Sequence, residues 1–205
     1  MKVYEILIKD TCPTDWSTVP CAHIDTYRWL DDYAPKAWAQ VVFVKDDGFY
    51  ARMTCVESNP RAIYVDFYDH VYKDSCMEFF AAYDAQRDRY INIEINANAA
   101  SRISIGEGRG ERERIDHVIG KPFDIKAEKN EGSWSVLVHI PLTDICKAYD
   151  IAPSVFADGY RFRGNFYKCG DETEAPHFGM WNPVMTETPD FHRPEYFGEL
   201  IIKSE

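Results

Sequence analysis

The stretch "RYINIEINA", Arg89 to Ala97, decides the fold. Ile91, Ile93 and Ile95 alternate with Asn92, Glu94 and Asn96. Successive side chains of a strand point to opposite faces, so the isoleucines share one face and the polar residues the other. Isoleucine suits a pleated surface, whereas Asn and Glu are poor strand formers. A row of amide, carboxylate and amide on one face therefore has two readings. It is a solvated outer face, or it is a polar bed for a neutral, hydroxyl-rich ligand. Amides donate and accept, and a carboxylate accepts twice, which suits vicinal hydroxyls.

The same period of two runs outward in both directions. Upstream it covers "VYEILIK" (Val3 to Lys9), "WAQVVFVK" (Trp38 to Lys45), "FYARMTCVE" (Phe49 to Glu57) and "SCMEFFAAYD" (Ser75 to Asp84). The turn "DDG" joins the second and third into a hairpin, and Asn59-Pro60 ends it. Downstream it covers "SRISIGE" (Ser101 to Glu107), "WSVLVHIPL" (Trp134 to Leu142), "GYRFRGNFYKC" (Gly159 to Cys169) and the closing "FGELII". "HFGMWNPV" reads as a short strand or turn. One helical signal, "PLTDICKAYDI", has Thr143 as its N-cap. Nine or ten short strands with tight turns and one short helix predict an all-β, jelly-roll-like antiparallel β-sandwich. No repeat or linker divides the 205 residues, so one domain spans 1–205, with residues 1–24 as an N-terminal strand and loop extension.

The net charge of −11 argues against nucleic acid and against anionic membranes as partners. The mixed-sign run "GRGERERIDH", Gly108 to His117, reads as a solvated loop. The N-terminus carries no long apolar run and no cleavage site, so the sequence as it stands predicts a cytoplasmic chain, or a secreted one if a leader was trimmed. The six cysteines form no CxxC pair and read as reduced thiols, mostly in the core, with a Cys12–Cys21 bridge as the alternative.

Several segments invite a ligand. Glu78 interrupts an apolar strand, which demands an edge or a partner for its carboxylate. Arg161, Arg163, Asn165 and Tyr167 share the outward face of their strand, either as solvated arginine–carboxylate pairs to Glu78 or Glu94 or as part of a site. The loop "TPDFHRPEY", Thr188 to Tyr196, is loaded with rings and fixed by Pro189 and Pro194. Loops are usually small and polar, so this one looks built to hold something. Among the histidines, which lack metal-ligand spacing, His192 is the one with a functional reading.

Taken in order, "VYKDSCMEFF", "YINIEIN", "FRGNFYKCG", "WNPV" and "FHRPEYFGELII" resemble the family 9 carbohydrate-binding modules and their stand-alone relatives, within the DOMON-like β-sandwich group. The resemblance runs from about Asp25 to Lys203. It implies non-catalytic binding of a mono- or oligosaccharide, such as the end of a glucan or xylan-type chain, linked to carbohydrate catabolism. In the family two tryptophans sandwich a sugar ring. Here the matching positions are Tyr72 and Phe191, with Glu78, Asn92, Glu94 and Asn165 matching polar contacts. Trp181 reads as core. The resemblance allows calcium in surface loops, and no loop here carries a calcium-ligand pattern. Two rivals remain. A glycoside hydrolase would draw on Glu78, Glu94 or Asp74 as its carboxylate pair. A haem- or protein-binding DOMON-like module would draw on Met53, Met77 or Met180 for haem ligation.

Overall fold

The computed structural model describes residues 1–30 and 33–204. It contains fourteen strands: β1 (Val3–Lys9), β2 (Ala22–Ile24), β3 (Thr26–Tyr27), β4 (Ala37–Val44), β5 (Gly48–Cys55), β6 (Cys76–Ala82), β7 (Tyr90–Asn96), β8 (Ser101–Glu107), β9 (Glu111–Arg114), β10 (Asp124–Asn130), β11 (Ser133–Pro141), β12 (Arg161–Cys169), β13 (Phe178–Met180) and β14 (Gly198–Lys203). Two helices, α1 (Ile115–Ile119) and α2 (Leu142–Tyr149), complete the chain with three single 3-10 turns.

The strands form one curled sheet in the order β10-β11-β5-β4-β1-β14-β12-β6-β7-β8-β9. Its two halves face each other. Val41, Phe49, Met53 and Val136 from one half pack in a single core with Phe79, Ile93, Ile103 and Phe166 from the other. Burying each such side chain is worth about 1.5–3 kcal/mol relative to leaving it in water.

The predicted sandwich needs three corrections. The sheet is mixed, because β1 runs parallel to both β14 and β4. β1 is therefore an interior strand that joins the two halves. The described residues form fourteen strands. β2, β3 and β13 are too short for alternation to be read, and β9 and β10 are built from charged and small residues that show no continuous apolar face. Finally, α2 begins at Leu142 with Pro141 in the cap position and no side-chain cap, so Thr143 lies inside the first turn.

The "GRGERERIDH" segment is also no simple loop. Glu111–Arg114 pairs with β8, and Ile115 opens α1 fully buried. The alternation points Arg112 and Arg114 toward the protein and Glu111 and Glu113 toward water. Among the described residues, no helix is long and apolar enough to cross a membrane. All six cysteines are free thiols.

β6, β7 and β12 from Gly164 onward are buried on both faces, one of them against the main core. The other lies under a second cluster that includes Phe80, Tyr90, Tyr167, Phe191 and Phe197. That second face carries the polar row of β7.

Candidate functional site

Glu78 of β6 and Glu94 of β7 are directly opposite each other in the antiparallel ladder. Across β12, Tyr167 is opposite Glu78 and Cys169 is opposite Cys76. On the far side of β7, Arg102 is opposite Glu94 and Ser104 is opposite Asn92. Strand register alone thus gathers two carboxyls, an amide and a guanidinium on one patch of sheet.

The patch floors a pocket of about 520 Å³. Tyr68 and Tyr72 enter from the loop before β6, Arg109, Gly110 and Arg112 from the β8–β9 hairpin, Asp171 from the loop after β12, and Pro189 to His192 from the C-terminal loop. Five of the six residues singled out from sequence line it: Tyr72, Glu78, Asn92, Glu94 and Phe191. Asn165 does not. It is fully buried beneath the chain at Asn182, donating to the Asn182 carbonyl at 2.8 Å and accepting from the Asn182 N–H at 2.9 Å. Its strand position is on the right face, but the C-terminal segment covers it.

The floor is held by hydrogen bonds. Asn92 Nδ2 donates to Glu94 Oε1 at 2.7 Å, and Arg112 donates to Asn92 Oδ1 through Nε at 2.9 Å and Nη2 at 2.6 Å. Arg112 also donates to the carbonyls of Gly108 and Tyr90 and stacks over the Tyr90 ring. The Cys169 thiol lies 3.0 Å from Glu78 Oε1 as a donor. No arginine makes a salt bridge with Glu78 or Glu94 among the described residues; Arg161 pairs with Glu199 and Arg163 with Asp88.

Two buried carboxyls side by side cannot both ionise cheaply. Burial, then the neighbouring Glu94, pushes the Glu78 carboxyl well above the usual carboxylate range. Burial raises Glu94 to about 7, against the pull of Asn92, Arg102 and Arg112. Burial raises Asp171 to about 6. A floor that holds protons at neutral pH can donate as well as accept hydrogen bonds. His192 is kept neutral, pushed down to about 3 by burial and by Arg112, Arg109 and Arg102. Its Nδ1 hydrogen-bonds the Tyr90 hydroxyl at 2.8 Å.

The aromatic walls differ from one another. Phe191 is nearly buried and lies parallel to Tyr167, with centroids 4.1 Å apart, backed by Trp29 and Phe178. Pro194 starts a 3-10 turn that fixes the loop end. Tyr72 is half-buried, with its hydroxyl on His70 Nδ1 at 3.2 Å. Tyr68 was not signalled by the sequence. Its φ of 72° is a backbone region that bulky residues seldom occupy. Its ring carries the Arg102 and Arg114 guanidiniums at 4.0 and 4.4 Å, and its hydroxyl meets Ser104 at 3.0 Å. Arg102, Arg109, Arg112 and Asp171 were likewise missed, because a charge in a short strand or loop reads as solvated.

The remaining candidates are structural. Asp74 is buried and accepts from the Ile63 and Tyr64 N–H groups, Asn96 and Arg61. Trp181 is a core ring packed edge-on to Tyr4 and Phe166. Met53, Met77 and Met180 are fully buried and line no part of the pocket.

The model of carbohydrate-binding family 9 matches residues 12–202. The chain belongs to carbohydrate-binding family 9. Three solved structures share this family 9 member's fold. One is a candidate carbohydrate-binding protein from Bacteroides uniformis, 24% identical, with a TM-score of 0.82 over 98% of this chain and 99% of that one. The other two are family 9 modules from Caldicellulosiruptor kristjanssonii. The glucose complex is 13% identical with a TM-score of 0.70, covering all of this chain and 97% of that one. The cellotriose complex is 12% identical with a TM-score of 0.70, covering all of this chain and 95% of that one. No curated protein matches the chain.

Proposed function

We propose that this family 9 chain binds the end of a neutral glucan or xylan-type oligosaccharide in the pocket above Glu78 and Glu94, without catalysing a reaction on it. The observation that carries the reading is the pocket itself. It pairs a floor of paired carboxyls and an amide with walls of aromatic rings. A pyranose presents hydroxyls at its rim and C–H groups on its faces, and flat rings engage the latter at low entropic cost. Tyr72 and Phe191 supply the rings. Glu78, Asn92 and Glu94 take the hydroxyls. The glucose and cellotriose bound by the two Caldicellulosiruptor modules support this class of ligand.

Glu78 and Glu94 also favour binding over hydrolysis. They project from adjacent strands of one sheet face, whereas a glycosidase sets its two carboxyls on either side of the scissile bond. The test is isothermal titration calorimetry against glucose, xylose, cellobiose and xylobiose, with and without calcium, alongside an aryl-glycoside hydrolysis assay. The expected result is millimolar or tighter binding, about −4 kcal/mol or better, and no hydrolysis. Absence of binding to all four sugars would overturn the proposal.

A further inference from the structure

The floor of the pocket also holds two buried thiols, Cys76 and Cys169, that sugar binding does not use. We propose that Cys76, Cys169 and Glu78 form a binding site for a zinc-like divalent cation, with its open coordination position facing the pocket.

The two cysteines are far apart in sequence but directly opposite in the β6–β12 ladder. Glu78 lies two residues after Cys76 and so projects from the same face. The two sulfurs and a carboxylate oxygen lie within 4.8 Å of one another. Cys169 Sγ and Glu78 Oε1 are already 3.0 Å apart. Zinc with sulfur at ~2.3 Å and oxygen at ~2.0 Å sets its ligand atoms about 3.5–3.8 Å apart, so closing the shell takes shifts of about 1 Å or less. All three side chains are more than nine-tenths buried.

A second observation points the same way. Glu94 is directly opposite Glu78, is 5% exposed and lines the same pocket. Its Oε2 is buried without a hydrogen-bond partner among the described residues. Asn92 satisfies Oε1 and Arg102 and Arg112 attract the carboxyl, but Oε2 still lacks a hydrogen-bond donor, which a water on the metal would supply.

The donor set selects the ion. Two thiolates disfavour calcium and magnesium, which take oxygen ligands, and suit zinc. Three protein ligands with a fourth position open to a cavity match the pattern of exchangeable zinc sites. Binding replaces the two thiol protons, and any proton on Glu78, with the metal and releases them to solvent, so affinity rises with pH. The site shares Glu78 with the sugar reading, but it is read out by metal binding alone, so failure of either one is seen separately.

The test is a titration of the reduced, chelator-treated full chain with cobalt(II), followed by absorption, with zinc added last. The expected result is one cobalt per chain, a thiolate-to-cobalt charge-transfer band, and loss of that band when zinc displaces cobalt. Cys76→Ala and Cys169→Ala each weaken binding at least 100-fold, while the Cys12→Ala/Cys21→Ala double variant binds as wild type does. Because truncating a buried cysteine can disturb the sheet, Glu78→Gln provides a near-isosteric check. It keeps the charge-transfer band and weakens binding about tenfold or more. Wild-type protein without a charge-transfer band at saturating cobalt would overturn the site, whatever the variants do. So would a band that survives in folded Cys76→Ala/Cys169→Ala protein.

Discussion

Replacing Glu94 with Gln should stabilise the protein at pH 8 and leave its stability unchanged at pH 4.5. The Glu94 carboxyl moves from 4.5 to about 7 on folding, chiefly through burial. The folded state therefore keeps a proton that the unfolded chain has already released. Stability from this group is complete below pH 4.5 and is lost progressively as pH rises to about 7. At full burial that displacement corresponds to roughly 3 kcal/mol. The charge is shared with Glu78, which reduces the expected gain to about 2 kcal/mol. Glutamine keeps an acceptor for Asn92 Nδ2 and never ionises. Urea denaturation of both proteins at pH 4.5 and pH 8 measures the effect. A stability difference independent of pH, or a glutamine variant weaker at pH 8, would refute the reasoning. The same variant should bind sugar less well, because sites keep costly groups where ligands need them.

Four other side chains have expected outcomes of their own. Tyr72→Ala should weaken sugar affinity about tenfold with little loss of stability, since the ring is half-buried; Phe191→Ala should cost about 3 kcal/mol of stability as well, because that ring stacks on Tyr167. Asn165→Ala should lower stability by about 2 kcal/mol in thermal melts, by stripping partners from the Asn182 backbone, and change sugar binding little in the folded protein. Lys168→Met should cost about 3 kcal/mol, because the fully buried ammonium lies 3.7 Å from Glu57 and hydrogen-bonds Ser75 and His177; adding Glu57→Gln should restore much of it in denaturant titrations.

The site was legible where alternation and register coincide. The period of two in "YINIEIN" put Asn92 and Glu94 on one face, and Glu78 sat at the matching phase of its own strand. Asn165 has the same phase, yet it is covered by Asn182, a contact made by a distant loop that no local pattern reports. Arg112 was hidden differently. Its neighbours Glu111 and Glu113 made the segment look solvated, although the alternation itself separates the arginines from the glutamates. The parallel pairing of β1 with β14 and β4 escaped because strand direction is set by topology, and both directions share one side-chain period.

The measurement that tests the central claim most directly is a crystal structure of the protein grown with saturating cellobiose. The account predicts a pyranose seated above Glu78 and Glu94, its hydroxyls on those carboxyls and Asn92, its faces toward Tyr72 and Phe191. Sugar bound elsewhere with that pocket vacant, such as over the half-exposed Trp38 on the opposite half of the sheet, would contradict it.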